Sequence, residues 1–189
     1  MGKGRLEAFS DGVIAIIITI MVLELKIPHG DSPEALKPLL PVFLSYVLSF
    51  VNIGIYWNNH HHMMHAAHKI SGGVLWANIH LLFWLSIFPF ATAWMGENHF
   101  TLWPVVLYGV VSLMSGMAYF ILAQCLVRVN GKESTLGTAI GKDRKGIRSL
   151  FIYCFGVGLS FINPWLGFAM YVMVAGIWFI PDNRIEKNI

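Results

Sequence analysis

The sequence predicts an all-α integral membrane protein, and its composition gives two reasons. Of the 189 residues, 56% are hydrophobic and 12% are charged, and the mean hydropathy is +0.63. Soluble domains carry about 25% charged residues, so half that fraction indicates a chain surrounded by lipid. The apolar residues are also grouped in long runs, and a helix needs about 20 such residues to cross a bilayer.

Six apolar segments have the features of spanning helices. The first ends where Lys26 and Pro28 follow the apolar run, and the second begins after Ser32-Pro33, with proline at the first helical position. The fifth is short and ends at Asn163-Pro164, a break that permits a tight hairpin before the sixth. The predicted spans are 6–25, 36–59, 73–95, 102–127, 150–162 and 165–180, within a single domain over 1–189.

The basic residues predict the orientation of these spans. With six spans, the two termini and the loops after the second and fourth spans share one side of the membrane. That side carries 11 of the 13 Lys and Arg residues, and only Lys26 and Lys37 lie on the other. Because positively charged loops stay in the cytoplasm, we expect a multi-pass protein of the cell membrane with both termini cytoplasmic.

Several function classes find no support in the sequence. It contains no nucleophile motif, phosphate-binding loop or cofactor fingerprint. The basic run near residue 145 is explained by topology and carries no nucleic-acid signature. We therefore predict a chain that is not an enzyme, uses no cofactor or metal and binds no nucleic acid.

The first span carries an aspartate at a depth where ionisable side chains are costly and mark functional sites. At about 100° per residue, Phe9, Ile16, Ile20 and Leu23 share one stripe with Thr19 beside it, and Asp11 lies on the opposite face. We therefore expect Asp11 to face other helices of its own subunit, where it needs a hydrogen-bond donor. From spacing alone, the stripe is open to packing, lipid contact or a pore.

The end of the second span could supply partners for Asp11. Arg5 lies six residues before Asp11 and cannot reach it as a simple i,i+4 pair. A third group could bridge the two and pin the first and second helices together, and a proton relay or pH sensor is the alternative role. The predicted structural network comprises Arg5, Phe9, Ser10, Asp11, Asn58, His60, His61 and His62.

A histidine cluster continues from this network. On a helix, His61, His65 and His68 share one face, and imidazole pairs at i,i+4 can bind zinc. No carboxylate lies in the cluster. Interhelical hydrogen bonding, pH sensing and metal binding remain open, and we expect no metal.

Three motifs together resemble the transmembrane protein 175 family of potassium-permeable channels. The first is Arg5-x-x-x-Phe9-Ser10-Asp11 followed by an Ile- and Leu-rich helix. The second is Ile-Tyr-Trp-x-Asn-His-His-His over 55–62, and the third is Pro-Phe-Ala-Thr over 89–92. The resemblance covers essentially the whole chain.

The resemblance implies a six-helix subunit that assembles as a homotetramer, with the first helix of each subunit lining a central pore. It places an aliphatic constriction at Ile16, Ile20 and Leu23, and a hydroxyl selectivity layer at Thr19. A second hydroxyl position of some members falls on Ala15 here, which predicts modest selectivity for potassium over sodium. Potassium and other monovalent cations, the lipid bilayer and further copies of the chain are the expected partners.

Two other functions stay open at this point. One is a proton-coupled transporter or a proton-conducting channel. The other is a membrane metalloenzyme that uses the histidine cluster.

Overall fold

The computed structural model describes residues 2–140 and 144–179, and these residues are folded almost entirely as helix. Eight α-helices lie within them: α1 (Lys3–Leu23), α2 (Leu40–Ala66), α3 (Gly72–Ser86), α4 (Phe88–Glu97), α5 (Leu102–Asn130), α6 (Thr135–Ile140), α7 (Arg144–Ser160) and α8 (Pro164–Phe179). A 3-10 helix, Pro33–Leu39, precedes α2. The all-α prediction is therefore confirmed.

Among the residues that the structure describes, four helical segments are long and apolar enough to cross a membrane: Lys3–Leu23, Pro33–Ala66, Gly72–Glu97 and Leu102–Asn130. The last three of them contain the second to fourth predicted spans, and the first ends at Leu23, two residues before the predicted end of the first span. The fifth and sixth predicted spans correspond to α7 and α8, which have 17 and 16 residues. The membrane assignment of α7 and α8 stays a prediction.

The third predicted span is divided into two helices, and proline explains the break. Pro89 has no N–H, so a continuous helix would lack one of its hydrogen bonds there. The chain turns at Ile87, whose N–H donates to Trp84 O at 3.2 Å. The α4 helix then starts at Phe88, where the proline occupies one of the first two positions and its missing donor has no helical role.

The core forms around α5, which packs against α3, α4, α7 and α8. Tyr108, Tyr171 and Phe88 are among its largest fully buried side chains. The α1 helix packs on α2, α3 and α4 at one side of this bundle. It is therefore a peripheral helix of the subunit, with one face against the bundle and one face outside it.

Two polar contacts tie the connecting segments to the bundle. Lys26, just after α1, forms an ion pair with Glu97 at the end of α4, and this hydrogen bond raises the pKa of Lys26. At the other end of the bundle, the Asn130 side chain accepts from the backbone N–H groups of His68 and Lys69 at 2.9 and 2.8 Å. Its Nδ2 donates to Lys69 O at 3.0 Å. The α2–α3 connection is thereby fixed to the end of α5.

Candidate functional site

The two faces of α1 differ sharply in exposure. The buried face carries Leu6, Ser10, Ile14, Ile17 and Met21. The opposite face carries the predicted constriction: Ile16 is 58% exposed, Ile20 42% and Leu23 77%. Phe9, at 52%, continues this exposed stripe towards the start of the helix. The subunit therefore leaves the predicted stripe uncovered along the length of α1.

Small residues separate the large side chains of this stripe. Ala8, Gly12, Ala15 and Thr19 are all exposed. A methyl group added at Gly12 would meet nothing within 4 Å, so packing inside the subunit does not require glycine there. Small residues in membrane helices let another backbone approach closely.

Thr19 has a defined hydroxyl orientation. Its Oγ1 lies 3.1 Å from Ala15 O and 2.9 Å from Ile16 O, and it donates to these backbone carbonyls. A hydroxyl has one hydrogen and two acceptor lone pairs. Because the hydrogen points back to the helix, the outward side of the oxygen presents electron density, which suits a cation.

A chain of buried polar side chains holds the opposite face of α1 in place. Asn78 of α3 donates through Nδ2 to Ser10 Oγ at 2.9 Å. The Oδ1 atom of the same amide is 2.8 Å from His60 Nε2 of α2. Ser10 in turn donates to Leu6 O at 2.9 Å. Ser10 and Asn78 are 0% exposed and His60 1%, so these hydrogen bonds join α1, α2 and α3 where water is excluded.

Asp11 has a separate partner on α2. The indole Nε1 of Trp57 donates to Asp11 Oδ1 at 3.0 Å. The indole also stacks on His61, with ring centroids 6.0 Å apart and planes inclined by 25°. Asp11 thus faces another helix of its own subunit and accepts from a donor there, whereas the adjacent Ser10 contacts Asn78 of α3.

The structure does not bring every residue of the predicted network together. The Arg5 side chain is exposed and makes no hydrogen bond or ion pair within residues 2–140 and 144–179. Asn58 is half-buried and lacks a side-chain hydrogen bond to any described residue. His62 has a ring contact with His61 at 5.7 Å. Within one subunit, Asp11 and His60 therefore have different partners, Trp57 and Asn78.

His61 and His65 lie on the surface of α2, both exposed, with ring centroids 6.3 Å apart. His68 lies beyond the end of α2 at Ala66, so the expectation that the three histidines share one helix face is wrong. In the part of the chain that the structure describes, no group of three or more His, Cys, Asp or Glu side chains is placed to hold a metal ion.

The sequence did not lead to the two residues that hydrogen-bond to Ser10 and Asp11, which are Asn78 and Trp57. Asn78 is a lone amide in an apolar span, and a buried polar side chain needs a partner, so this signal was available. Trp57 carried no such signal, because tryptophans near span ends are common anchors at the membrane interface. Its hydrogen bond to Asp11 depends on how α1 packs on α2.

Comparison with known proteins gives this arrangement a family. A family model described as the endosomal/lysosomal potassium channel TMEM175 matches residues 5–89. This range includes α1 from Arg5 onwards and the hydrogen-bonded residues Trp57, His60 and Asn78. A potassium channel of Chryseobacterium sp. (strain P1-3) is 53% identical over 189 residues, 100% of this chain and 98% of the relative. An endosomal/lysosomal proton channel TMEM175 of Gallus gallus is 41% identical over 73 residues, 32% of this chain and 15% of the relative.

A solved structure extends the similarity to the whole fold. The crystal structure of a lysosomal potassium-selective channel TMEM175 homolog from Chamaesiphon minutus matches with a TM-score of 0.82. The two chains are 28% identical, and the match covers 94% of this chain and 96% of the other. The sequence motifs, the long relative and the shared fold agree, and the chain belongs to the TMEM175 family as one of its prokaryotic members.

Proposed function

We propose that this chain is a potassium-permeable cation channel of the cell membrane, with α1 lining a central pore between the subunits of a homotetramer. The observation that carries the proposal is the uncovered stripe of Ile16, Ile20 and Leu23 on a helix whose other face is buried. A pore helix needs one face held by its own subunit and one face directed to the axis. The names of the bacterial relatives support potassium as the permeant ion.

In this proposal, the side chains of Ile16, Ile20 and Leu23 form the constriction. Hydrophobic rings gate by excluding water and need no charge. A wider ring admits a partly hydrated cation. Because no carbonyl cage replaces the hydration shell, discrimination between potassium and sodium is modest.

Thr19 forms the selectivity layer of the proposed pore. Its hydroxyl hydrogen is directed to Ala15 O and Ile16 O, so its oxygen faces the ion path. Four such oxygens favour cations over anions without binding them tightly. Ala15 adds no second hydroxyl, in agreement with weak selectivity among monovalent cations.

The remaining polar residues of the predicted network position α1. Ser10, through Asn78 and His60, and Asp11, through Trp57, fix the rotation of α1 about its axis. Rotation decides which side chains face outward, so these hydrogen bonds keep the Ile16 stripe outside the subunit. Arg5 lies on the exposed side of the same helix and is available to a neighbouring copy. In this arrangement α7 and α8 complete six spans, and both termini are cytoplasmic.

Reversal potentials in planar bilayers test this function. Purified protein is placed between potassium on one side and sodium on the other. We expect a steady current that reverses towards the potassium potential. The Ile16→Asn variant is measured beside it and carries a larger unitary conductance, because an amide ring wets the constriction. Ile121→Asn is the matched control, since Ile121 is 41% exposed but lies on α5.

The outcomes separate the parts of the proposal. Equal increases in Ile16→Asn and Ile121→Asn would contradict a constriction on α1. If neither the wild type nor either variant carried a current, the proposal that the protein is a channel would be wrong.

Proton conduction is the second candidate, favoured by the name of the Gallus gallus relative, a proton channel. The same bilayer, with equal potassium and a pH difference across it, distinguishes the two. A reversal potential that follows the proton gradient favours proton conduction, and one that stays at zero favours potassium.

A further inference from the structure

A second feature lies inside the subunit, away from the exposed face of α1. A cavity of about 50 Å³ lies where α2, α5, α7 and α8 meet. Most of its polar lining comes from α2, α7 and α8: Asn52, Tyr56, Asn59, Ser149, Tyr153 and Trp178. None of the described residues that line it carries a charged side chain. The lining therefore suits a neutral species that forms hydrogen bonds.

Two tyrosine hydroxyls in this lining lack a protein partner. Neither Tyr56 Oη nor Tyr153 Oη is hydrogen-bonded to any residue in 2–140 or 144–179, although the Tyr153 side chain is only 4% exposed. Among the described residues, Ser112 Oγ is the one fully buried polar side-chain atom without a partner, so the two tyrosine hydroxyls are open to the cavity. A hydroxyl that faces a cavity can be satisfied by a water molecule held there.

The neighbouring polar groups show how many bonds the occupant must make. Ser149 is already satisfied, because it donates to Lys145 O at 2.9 Å and accepts from Trp178 Nε1 at 2.8 Å. Asn52 uses Nδ2 to donate to Tyr108 Oη at 3.0 Å, which leaves its amide oxygen to the cavity. Asn59 likewise uses Nδ2 to donate to Ile55 O at 2.8 Å. The groups without a described partner thus include two hydroxyls and the amide oxygens of Asn52 and Asn59. Such a set suits a molecule that both donates and accepts.

The volume selects water among such molecules. A buried water needs about 10–15 Å³ of cavity and two to four polar partners. The cavity of about 50 Å³ therefore has room for more than one water molecule. Apolar side chains, Ile55, Phe120, Leu150 and Val174, also line the cavity. A cavity that stays dry is lined by apolar side chains alone, whereas this one also presents polar groups without a described partner.

We propose that each subunit binds a small cluster of water molecules between α2, α5, α7 and α8, hydrogen-bonded to Tyr56, Tyr153 and Asn52. Asn52 also donates to Tyr108 Oη, and this bond connects the water cluster to a chain of buried hydroxyls. In that chain, Ser49 Oγ donates to Tyr108 Oη at 3.1 Å and lies 2.6 Å from Thr92 Oγ1. The site hydrates the interior of the subunit independently of the α1 face. It does not depend on the ion that the channel carries.

Radiolytic hydroxyl-radical footprinting with mass spectrometry tests the site, because bound water activated by X-rays labels the side chains beside it. The protein is used as the full chain in lipid nanodiscs. Tyr171 is the internal control, since it is 0% exposed and its hydroxyl lies 3.4 Å from Ser160 Oγ. We expect Tyr56 and Tyr153 to be modified several-fold faster than Tyr171.

A filling variant adds a second readout. A Cβ atom at Gly116 would lie 3.6 Å from Tyr56 Oη and 2.9 Å from the flexible end of Leu150. Gly116→Val therefore takes up cavity space and slows the labelling of Tyr56, with Tyr171 unchanged. Equal labelling of Tyr56, Tyr153 and Tyr171 in the wild type would overturn the proposal. That comparison stands even if the Gly116 variant does not fold, and normal ion currents would leave the proposed function intact.

Discussion

The indole Nε1 of Trp57 lies 3.0 Å from Asp11 Oδ1 and connects α2 to the one carboxylate within the apolar part of α1. Both side chains belong to the surface of the subunit, since Trp57 is 45% exposed and Asp11 is half-buried. A carboxylate at this depth is costly without a donor. The indole supplies that donor, and its stacking on His61 fixes the direction of the N–H.

Replacing Trp57 tests this contact. Trp57→Phe keeps an aromatic ring and removes the donor, so the protein should lose about 1 kcal/mol of stability, or about 2–4 °C in Tm for a chain of this size. Trp76→Phe is the control, because Trp76 is 74% exposed and makes no side-chain hydrogen bond within the described ranges. Thermal unfolding followed by size-exclusion chromatography gives both values. Equal Tm values for the two variants would show that the indole does not anchor Asp11.

The Asn78 amide should matter more than Trp57, because its partners are fully buried. Asn78→Leu removes the amide that hydrogen-bonds to Ser10 Oγ and His60 Nε2. The free energy of unfolding should therefore fall by about 2–4 kcal/mol. Asn98→Leu is the control, since Asn98 is exposed and donates only to Trp94 O. The measurement is the yield of folded, assembled protein and its Tm.

A double-mutant cycle sharpens the Asn78 prediction. Ser10→Ala combined with Asn78→Leu should cost less than the sum of the two single changes, because residues in one hydrogen-bond network do not behave additively. Strict additivity would mean that Ser10 and Asn78 act independently.

Asp11→Ala separates a structural role from a role in conduction. We expect less folded and assembled protein, with little change in the reversal potential of the channels that form. The measurements are expression by fluorescence-detected chromatography and potassium/sodium reversal potentials. Wild-type expression together with a large shift in reversal potential would place Asp11 in the ion path instead.

Thr19 is the polar position of the proposed pore. Thr19→Val is nearly isosteric and removes one oxygen from each subunit. A loss of about 1 kcal/mol of cation stabilisation predicts about a fivefold fall in unitary potassium conductance. Thr101→Val, at the exposed start of α5, should leave the conductance unchanged. Unaltered currents in Thr19→Val would remove Thr19 from the selectivity layer.

Glycine packing between α7 and α8 gives a prediction about stability alone. A methyl group at Gly167 would collide with Ser160 Oγ and approach Gly156 O to 2.8 Å, whereas one at Gly176 would meet nothing within 4 Å. Gly167→Ala should therefore destabilise the protein by about 1–3 kcal/mol. Gly176→Ala, in the same helix, should be neutral or stabilise it by about 0.4–1 kcal/mol. Identical Tm values for the two variants would contradict the close packing of this hairpin.

Much of the fold follows from the sequence because span length and proline position are local properties. The run before Lys26, the proline after Ser32 and the Asn163-Pro164 break place helix ends within a few residues of those observed. The break at Ile87 was missed, since Pro89 lies in an apolar run that reads as continuous. The short helix α6 also lies in a segment without apolar periodicity.

The contacts of the candidate site were harder to predict from the sequence, because hydrogen bonds between helices depend on how distant segments pack. Helical spacing put Asp11 opposite Ile16, and the structure has the two on different faces. Spacing could not identify Trp57 or Asn78 as partners of α1, since their contacts with Asp11 and Ser10 span 46 and 68 residues of sequence. It also could not decide what covers the exposed stripe, a property of the assembly.

The two ends of α1 are fastened differently from its middle. Hydrogen bonds hold it at Ser10 and Asp11, and the Lys26–Glu97 pair follows its last turn. Between these ties lie Ile16 and Ile20, and an isoleucine in a helix keeps essentially one χ1 rotamer. Rotation of individual side chains is therefore an uncommon event on this face. In the proposed pore, a change of bore comes mainly from displacement of whole α1 helices.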